Sequence, residues 1–225
     1  MSETNRLKII REEILQCQKC PLAKGRKNAV PGEGPSSVDI MFIGEGPGYH
    51  ENQQGKPFVG QAGMFLDELL ASADLKREEV FITNVVKCRP PSNRDPMPEE
   101  LAACSHYLDE QIALLDPKVI VTLGRFSMSK FIENGRISQI HGKSHQIQGR
   151  IVVTMYHPAA ALHQPALKPV LVEDFSKLRH LLGKDEPAQP KMPAPVQTKV
   201  QAPAAEKKSV KKEERPDLPE QLSLF

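Results

Sequence analysis

Four short apolar runs, residues 38–43, 80–86, 118–123 and 150–155, alternate along the chain with segments of helical periodicity. Strands that are apolar almost throughout, rather than at every second position, must be covered on both faces, and strands separated by helices pair in parallel. The helical segments are 3–16, with Leu7, Ile10, Ile14 and Leu15 at helical spacing, then 62–71, 99–115 opened by Pro98, 125–133 and 169–182. This pattern predicts an α/β fold built on a parallel sheet. In such sheets ligands bind beyond the carboxyl ends of the strands, and the chain's unusual residues lie there.

Composition changes near Gly183. From 184 to 220 the large apolar residues are Met192, Val196, Val200, Val210 and Leu218, among seven prolines and no glycine. Such a segment cannot bury enough apolar surface to offset its chain entropy, so a disordered linker is expected. Three parts follow: a folded domain over 1–183, the linker over 184–220 and a terminal peptide over 221–225. Across the whole chain hydrophobic residues reach only 39%, with 20 Pro and no Trp. Those values exclude a membrane protein and a disulfide-dense scaffold. Lys and Arg number 30 against 28 Asp and Glu, a net charge of +2, which excludes a strongly basic chromatin-type protein and leaves a nucleic-acid partner to the local placement of charge.

No apolar run approaches the roughly 18 residues of a membrane span. The N-terminal residues carry charges every few positions instead of a signal-peptide apolar region, so a cytoplasmic location is expected. In that compartment the four cysteines are read as metal ligands or buried thiols rather than disulfides. Cys17 and Cys20 form a Cys-x-x-Cys turn, and fifteen residues separate Cys88 from Cys104. Four thiolates at these spacings suit a structural zinc ion and an iron–sulfur cluster equally.

Three strand-end loops carry the candidate chemistry. The first begins Gly44-Glu45-Gly46-Pro47-Gly48 and continues through Glu51, Phe58, Gly60 and Gly63. Its glycines let the backbone approach a ligand closely. It lacks the Lys-Ser/Thr ending of a P-loop, and Glu45 would repel a phosphate. Phe58 suits either an aromatic face for a planar ligand or a place in the core. In the second loop Asn84 interrupts an apolar strand, where a buried amide either reads a donor–acceptor edge or caps structure. In the third, His157-Pro158 follows the last strand directly, a position from which an imidazole can stabilise a developing anion. The loops are read as holding no lysine, so no Schiff-base step is expected.

Taken together, GEGPG followed by GKPFVGQAG (44–63), TNVVKCRPP (83–91), HPAAAL (157–162) and the cysteine quartet resemble the iron–sulfur uracil-DNA glycosylases, family four of that superfamily. The resemblance covers about residues 14–182. It implies a three-layer α/β/α sandwich around a central four-stranded parallel sheet. It also implies a structural [4Fe-4S] cluster on Cys17, Cys20, Cys88 and Cys104, with zinc as the alternative metal. The implied activity is monofunctional removal of uracil from DNA in base excision repair, by a nucleoid-associated monomer. Glu45 and Gly46 match the loop on the water and sugar side. Phe58 matches the stacking residue, Asn84 the one bonded to the polar edge of uracil, and His157 the one at O2. Glu51 matches the position near C5, where a thymine methyl would clash, and Leu162 is the candidate wedge that fills the vacated base stack. Tyr49-His50 departs from the acidic residues expected after GEGPG. Lys87, Arg89, Arg94 and Lys143 are candidate phosphate contacts. The chemistry suits these residue types: cleavage yields an oxocarbenium-like sugar and a uracil anion, stabilised by a nearby carboxylate and by donors at the base oxygens. A non-catalytic or covalently trapping uracil-DNA-binding protein is the alternative, although no histidine stands between Pro90 and Pro98 to do the trapping.

The chain ends Gln221-Leu222-Ser223-Leu224-Phe225, which resembles the bacterial sliding-clamp-binding motif. Gln221, Leu222, Leu224 and Phe225 would fill an apolar pocket on that partner. A flexible linker of roughly 37 residues would reach roughly 30–35 Å. Deleting residues 221–225 is expected to abolish clamp binding in a surface-immobilised affinity measurement; unchanged affinity would sink the assignment.

Overall fold

The computed structural model describes residues 3–181. The expected boundary at Gly183, the linker over 184–220 and the clamp peptide over 221–225 lie outside the described residues. In chain order, α1 (Glu3–Gln16) and the short α2 (Leu22–Gly25) precede β1 (Ile40–Gly44). Helices α3 (Tyr49–Gln54) and α4 (Gln61–Ser72) lead to β2 (Phe81–Asn84), and α5 (Pro98–Leu115) leads to β3 (Val119–Leu123). After α6 (Arg125–Ser129) and α7 (Ile137–Ile140) come β4 (Ser144–Ile147) and β5 (Arg150–Met155). Helices α8 (Pro158–His163), α9 (Leu167–Ser176) and α10 (Leu178–Leu181) follow.

The strands form one sheet in the order β2-β1-β3-β5-β4. Its first four members are parallel, as the apolar runs require, and β4 pairs antiparallel with β5 at the edge. The fifth strand was not expected. Its residues are Ser-His-Gln-Ile, alternately exposed and partly buried, so it lacks the continuous apolar signal of a strand covered on both faces.

Successive strand side chains point to opposite faces, and each face has its own cover. Phe42, Ile82, Val121 and Val153 pack under Leu66, Leu69 and Leu70 of α4 and Leu171 and Phe175 of α9. Met41, Ile43, Ile120 and Val152 pack under Leu108, Ile112 and Leu115 of α5. A third apolar cluster joins Ile10 and Ile14 of α1 to Tyr107 of α5, with Val86 and the cysteines beside them. Residues 3–181 therefore form an α/β/α sandwich with α1 strapped to the outside of α5.

Local chemistry sets the helix limits. Pro98 opens α5, and the Glu100 carboxylate accepts the Met97 N–H at 2.8 Å to cap it. The last segment is two helices rather than one, α9 starting two residues before Pro169 so that the ring sits in the first turn, where a missing N–H costs nothing. Helix α6 stops at Ser129 rather than 133, ahead of Asn134 at φ 57°. Among the described residues no helix is long and apolar enough to cross a membrane.

Phe42 and Phe175 are both fully buried, with ring centroids 5.9 Å apart and planes 11° from parallel. Phe175→Ala is expected to cost about 3–5 kcal/mol of stability, read from denaturant unfolding. A loss below about 1 kcal/mol would show that this stack does not anchor the α9 layer.

Candidate active site

Gly44 stands opposite Asn84 in the β1–β2 register, and Leu123 opposite Met155 in β3–β5. The carboxyl ends of the parallel strands are thus level, and the loops leaving them converge. They enclose a cavity of about 390 Å³ lined by Glu45, Gly46, Glu51, Phe58, Asn84 and His157. Every cavity residue expected from the three loops is present there. Leu162 is not: it lies on α8, 38% exposed, and is absent from the lining. The sequence reading missed Asn93 and His163, which also line the cavity. His163 follows His157 by six residues on α8, a spacing that carried no signal before the helix was known.

The cavity floor is held by close contacts that leave no room for extra atoms. Asn84 is 1% exposed, and its side-chain Oδ1 receives no hydrogen bond from the described protein. A Cβ on Gly44 would lie 2.4 Å from that oxygen and 2.7 Å from Phe58 Cζ, so only glycine fits. Phe58 is buried with φ at 50°, in the left-handed region. Its ring stacks on His157, centroids 5.5 Å apart and 25° from parallel. What holds this strained residue is the unforeseen α3. That helix carries Glu51, whose Oε1 accepts the Val59 and Gly60 N–H groups at 2.9 Å each. On the other side of the turn, a Cβ on Gly63 would fall 2.0 Å from the Phe58 carbonyl oxygen. Glu51 is thus tied to the backbone that presents Phe58 while also lining the cavity.

His157 caps α8: its Nδ1 accepts the Ala159 N–H at 3.1 Å. Burial pulls its pKa down to about 4, opposed by the charge of Glu51. The ring is therefore neutral at pH 7, and because Nδ1 is the acceptor, Nε2 carries the proton. Burial, with Asp95 adding to it and Arg125 opposing, raises the Glu45 carboxyl above its ordinary value. Asp95 and Arg125 themselves form an ion pair.

The rim departs from the expected phosphate contacts. Arg94 lines the cavity but is held by both oxygens of the buried Glu100, at 2.7 and 2.9 Å. Its guanidinium keeps the Glu100 carboxyl below the usual range. Arg89 donates to Asn93 Oδ1 at 2.8 Å and lies 5.3 Å over the Tyr49 ring, which is 54% exposed and outside the cavity lining. Lys143 is exposed on the approach to β4. Lys87 cannot meet phosphate at all: it is 1% exposed, with Nζ bonded to Thr83 Oγ1, Asn84 O and Gln111 Oε1. The reading that the loops hold no lysine also fails, since Lys56 and Lys87 both lie in them. Neither lines the cavity, and Lys56 pairs with Glu33 at 3.3 Å.

A second small cavity is walled by Cys17, Cys20, Cys88 and Cys104. The sulfurs accept hydrogen bonds from Lys19 N at 3.5 Å, Arg26 Nη1 at 3.0 Å and Lys87 N at 3.3 Å. N–H donors and a guanidinium suit sulfurs that carry negative charge, so the donor set fits a thiolate-bound metal group. Among the described residues no three His, Cys, Asp or Glu side chains stand close enough around one point to hold a single metal ion.

With the geometry in place, comparison with known proteins is direct. A family model described as the uracil DNA glycosylase superfamily matches residues 31–179. The chain is 51% identical over 185 residues to the type-4 uracil-DNA glycosylase of Sulfurisphaera tokodaii, covering 78% of this chain and 84% of the relative. It is 42% identical over 184 residues to that of Thermotoga maritima, covering 80% and 96%. A type-5 uracil-DNA glycosylase of Thermus thermophilus is 31% identical over 184 residues, covering 65% and 84%. The chain belongs to the uracil-DNA glycosylase superfamily and, within it, to the type-4 family. The superfamily match begins after Cys17 and Cys20, so the strap that carries them lies outside it.

Two outcomes follow from this geometry. Gly63→Ala pushes the Phe58 carbonyl aside, so the variant is expected to keep its far-ultraviolet circular dichroism but lose more than tenfold in activity, in about the range of a misplaced catalytic group. His157 binds a proton less readily in the folded chain than in the unfolded one. Its contribution is present above pH 6.5 and is lost as pH falls toward 4. Thermal melts between pH 7 and 4 should therefore fall less steeply for His157→Gln than for the unaltered protein.

Proposed function

We propose that this chain hydrolyses the N-glycosidic bond of uracil in DNA and leaves an abasic site. The observation that carries the reading is the buried, unpartnered Oδ1 of Asn84, which lines one cavity with the Phe58 ring and the neutral His157. A buried acceptor calls for a donor, and N3–H of uracil is one. The amide's N–H₂ then donates to O4, and His157 Nε2–H donates to O2.

The base reaches this cavity only by leaving the duplex, at a cost of a few kcal/mol that stacking on Phe58 offsets in part. As the N1–C1′ bond breaks, its electron pair moves onto uracil, and the charge gathers at O2 beside His157. An uncharged imidazole held in one tautomer stabilises that charge without first giving up its own proton. Glu45, on the neighbouring loop, offsets the positive charge that develops at C1′. A water oxygen bonds to C1′, and its proton passes to the Glu45 carboxylate. The bare Gly46 lets this loop lie against Val86, where an added Cβ would sit 2.8 Å from Cγ2. Glu51 holds the Phe58 turn and borders the base near C5. Leu162, exposed on α8, is the wedge in this reading. Neither motif lysine reaches the cavity, which supports monofunctional hydrolysis without a lyase step.

Cys17, Cys20, Cys88 and Cys104 would hold a [4Fe-4S] cluster. When bound, the group supplies cross-links between the α1 strap, the β2 loop and α5, and takes no part in hydrolysis. A cluster accepts one thiolate at each corner, whereas zinc draws all four within about 2.3 Å of one point. Sulfurs spread around a cavity suit the former. The terminal Gln221, Leu222, Leu224 and Phe225 would recruit a sliding clamp, keeping a nearly neutral enzyme beside DNA.

An oligonucleotide with one uracil, incubated with the protein and then treated with alkali, should be cut at that position. Absence of product from U:G, U:A and single-stranded substrates would overturn the reading. Asn84→Ala is expected to lower kcat by about 10²–10³-fold, comparable to losing one donor in an oxyanion hole.

A further inference from the structure

We infer that Lys87 is a buried counter-charge to the cysteine cluster and, through the same ammonium, the positioning residue for Asn84. The inference rests on reading the four cysteines as ligands of a metal cluster. Lys87 is among the largest fully buried side chains, and its three Nζ acceptors, Thr83 Oγ1 at 2.6 Å, Gln111 Oε1 at 2.8 Å and Asn84 O at 2.9 Å, are all uncharged. A lysine is almost never fully buried unless it is paired with an anion. The candidates lie on its other side. Lys87 walls the cysteine cavity, and its backbone N–H donates to Cys104 Sγ at 3.3 Å. Arg26 meets Cys88 Sγ at 3.0 Å from the opposite flank. With Lys19, three cationic residues thus line the cavity of the four sulfurs, as suits thiolates holding a group of net negative charge.

The same ammonium reaches the active site. The backbone carbonyl it grips belongs to Asn84, whose side chain forms the cavity floor. Gln111 and Thr83 continue the network to the Pro31 carbonyl at 2.8 and 3.0 Å, anchoring it to the loop before β1. Residues 83–88 therefore run from the cavity amide to a cysteine of the cluster, with the Lys87 ammonium on the Asn84 carbonyl and the Lys87 backbone N–H on Cys104.

The test uses the full chain purified with its iron. Lys87→Met removes the charge at similar length, and Gln111→Glu adds a nearly isosteric carboxylate that draws the ammonium's charge away from the sulfurs. Iron loss to a chelator, followed by visible absorbance, is expected to be about tenfold faster or more in both variants, as for other groups around a metal site. Lys87→Met should also lower kcat by about tenfold on uracil-containing DNA while KM changes less than about twofold, because the amide is misaligned rather than lost. Should Lys87→Met not fold, Gln111→Glu decides alone. Iron retention in Gln111→Glu equal to that of the unaltered protein overturns the inference and leaves the cluster reading intact. An unaltered protein isolated without iron overturns both.

Discussion

Gly44 and Asn84 face each other across the β1–β2 ladder, and the rest of the site depends on that pairing. Parallel strands in register deliver their carboxyl ends to one line, so loops distant in sequence begin at the same height. Glu45 follows directly from β1, Asn84 ends β2, and His157 starts two residues beyond β5. A slip of one residue in the β1–β2 ladder would turn the cavity amide into a core side chain or the reverse. The sheet is therefore the jig for the chemistry. Its cost is a set of buried polar groups at the strand ends, of which the Asn84 Oδ1 stays without a protein partner.

The way the loops are held explains why so many residues around the cavity are small or strained. Phe58 holds a backbone angle that few side chains adopt, and it is stabilised by the Glu51 carboxylate on two N–H groups and by close packing of its carbonyl on Gly63. Glu51 is thus first a strut for the aromatic floor. Any influence it has at the edge of the base is exerted from a fixed position. Beside the Phe58 ring, the short α8 holds the His157 tautomer through one backbone N–H.

Much of this was legible in the sequence. Continuous apolar runs ending in glycine or a loop gave four of the strands, and the three motifs named the cavity residues, because both signals are local. The exceptions share a cause. Strand β4 is polar and stands at an edge, and α3, Tyr-His-Glu-Asn-Gln-Gln, has no apolar stripe. Lys87 reads as a surface charge because its acceptors Thr83 and Gln111 come together only through packing of α5 on the sheet. Arg94 is expected at phosphate, yet Glu100 engages two of its five N–H groups and the Asp95 carbonyl oxygen makes a further contact. Leu162 stands on α8 outside the cavity lining, a placement that a run of alanines does not reveal. Pairwise tertiary choices such as these leave no trace in composition or period.

The tight fit at Gly44 has one more consequence. In the proposed reading, uracil and cytosine differ along the edge that Asn84 would face: one presents N–H and carbonyl, the other a bare ring nitrogen and an amino group. The same amide turned by half a revolution would complement cytosine. The oxygen and nitrogen of that amide are nearly equal in size, so close packing by Gly44 and Phe58 keeps its plane in place while hydrogen bonding alone sets which end would face a base. Fidelity in such a site would lie less in the size of the cavity than in the hydrogen bonds that set the orientation of one amide.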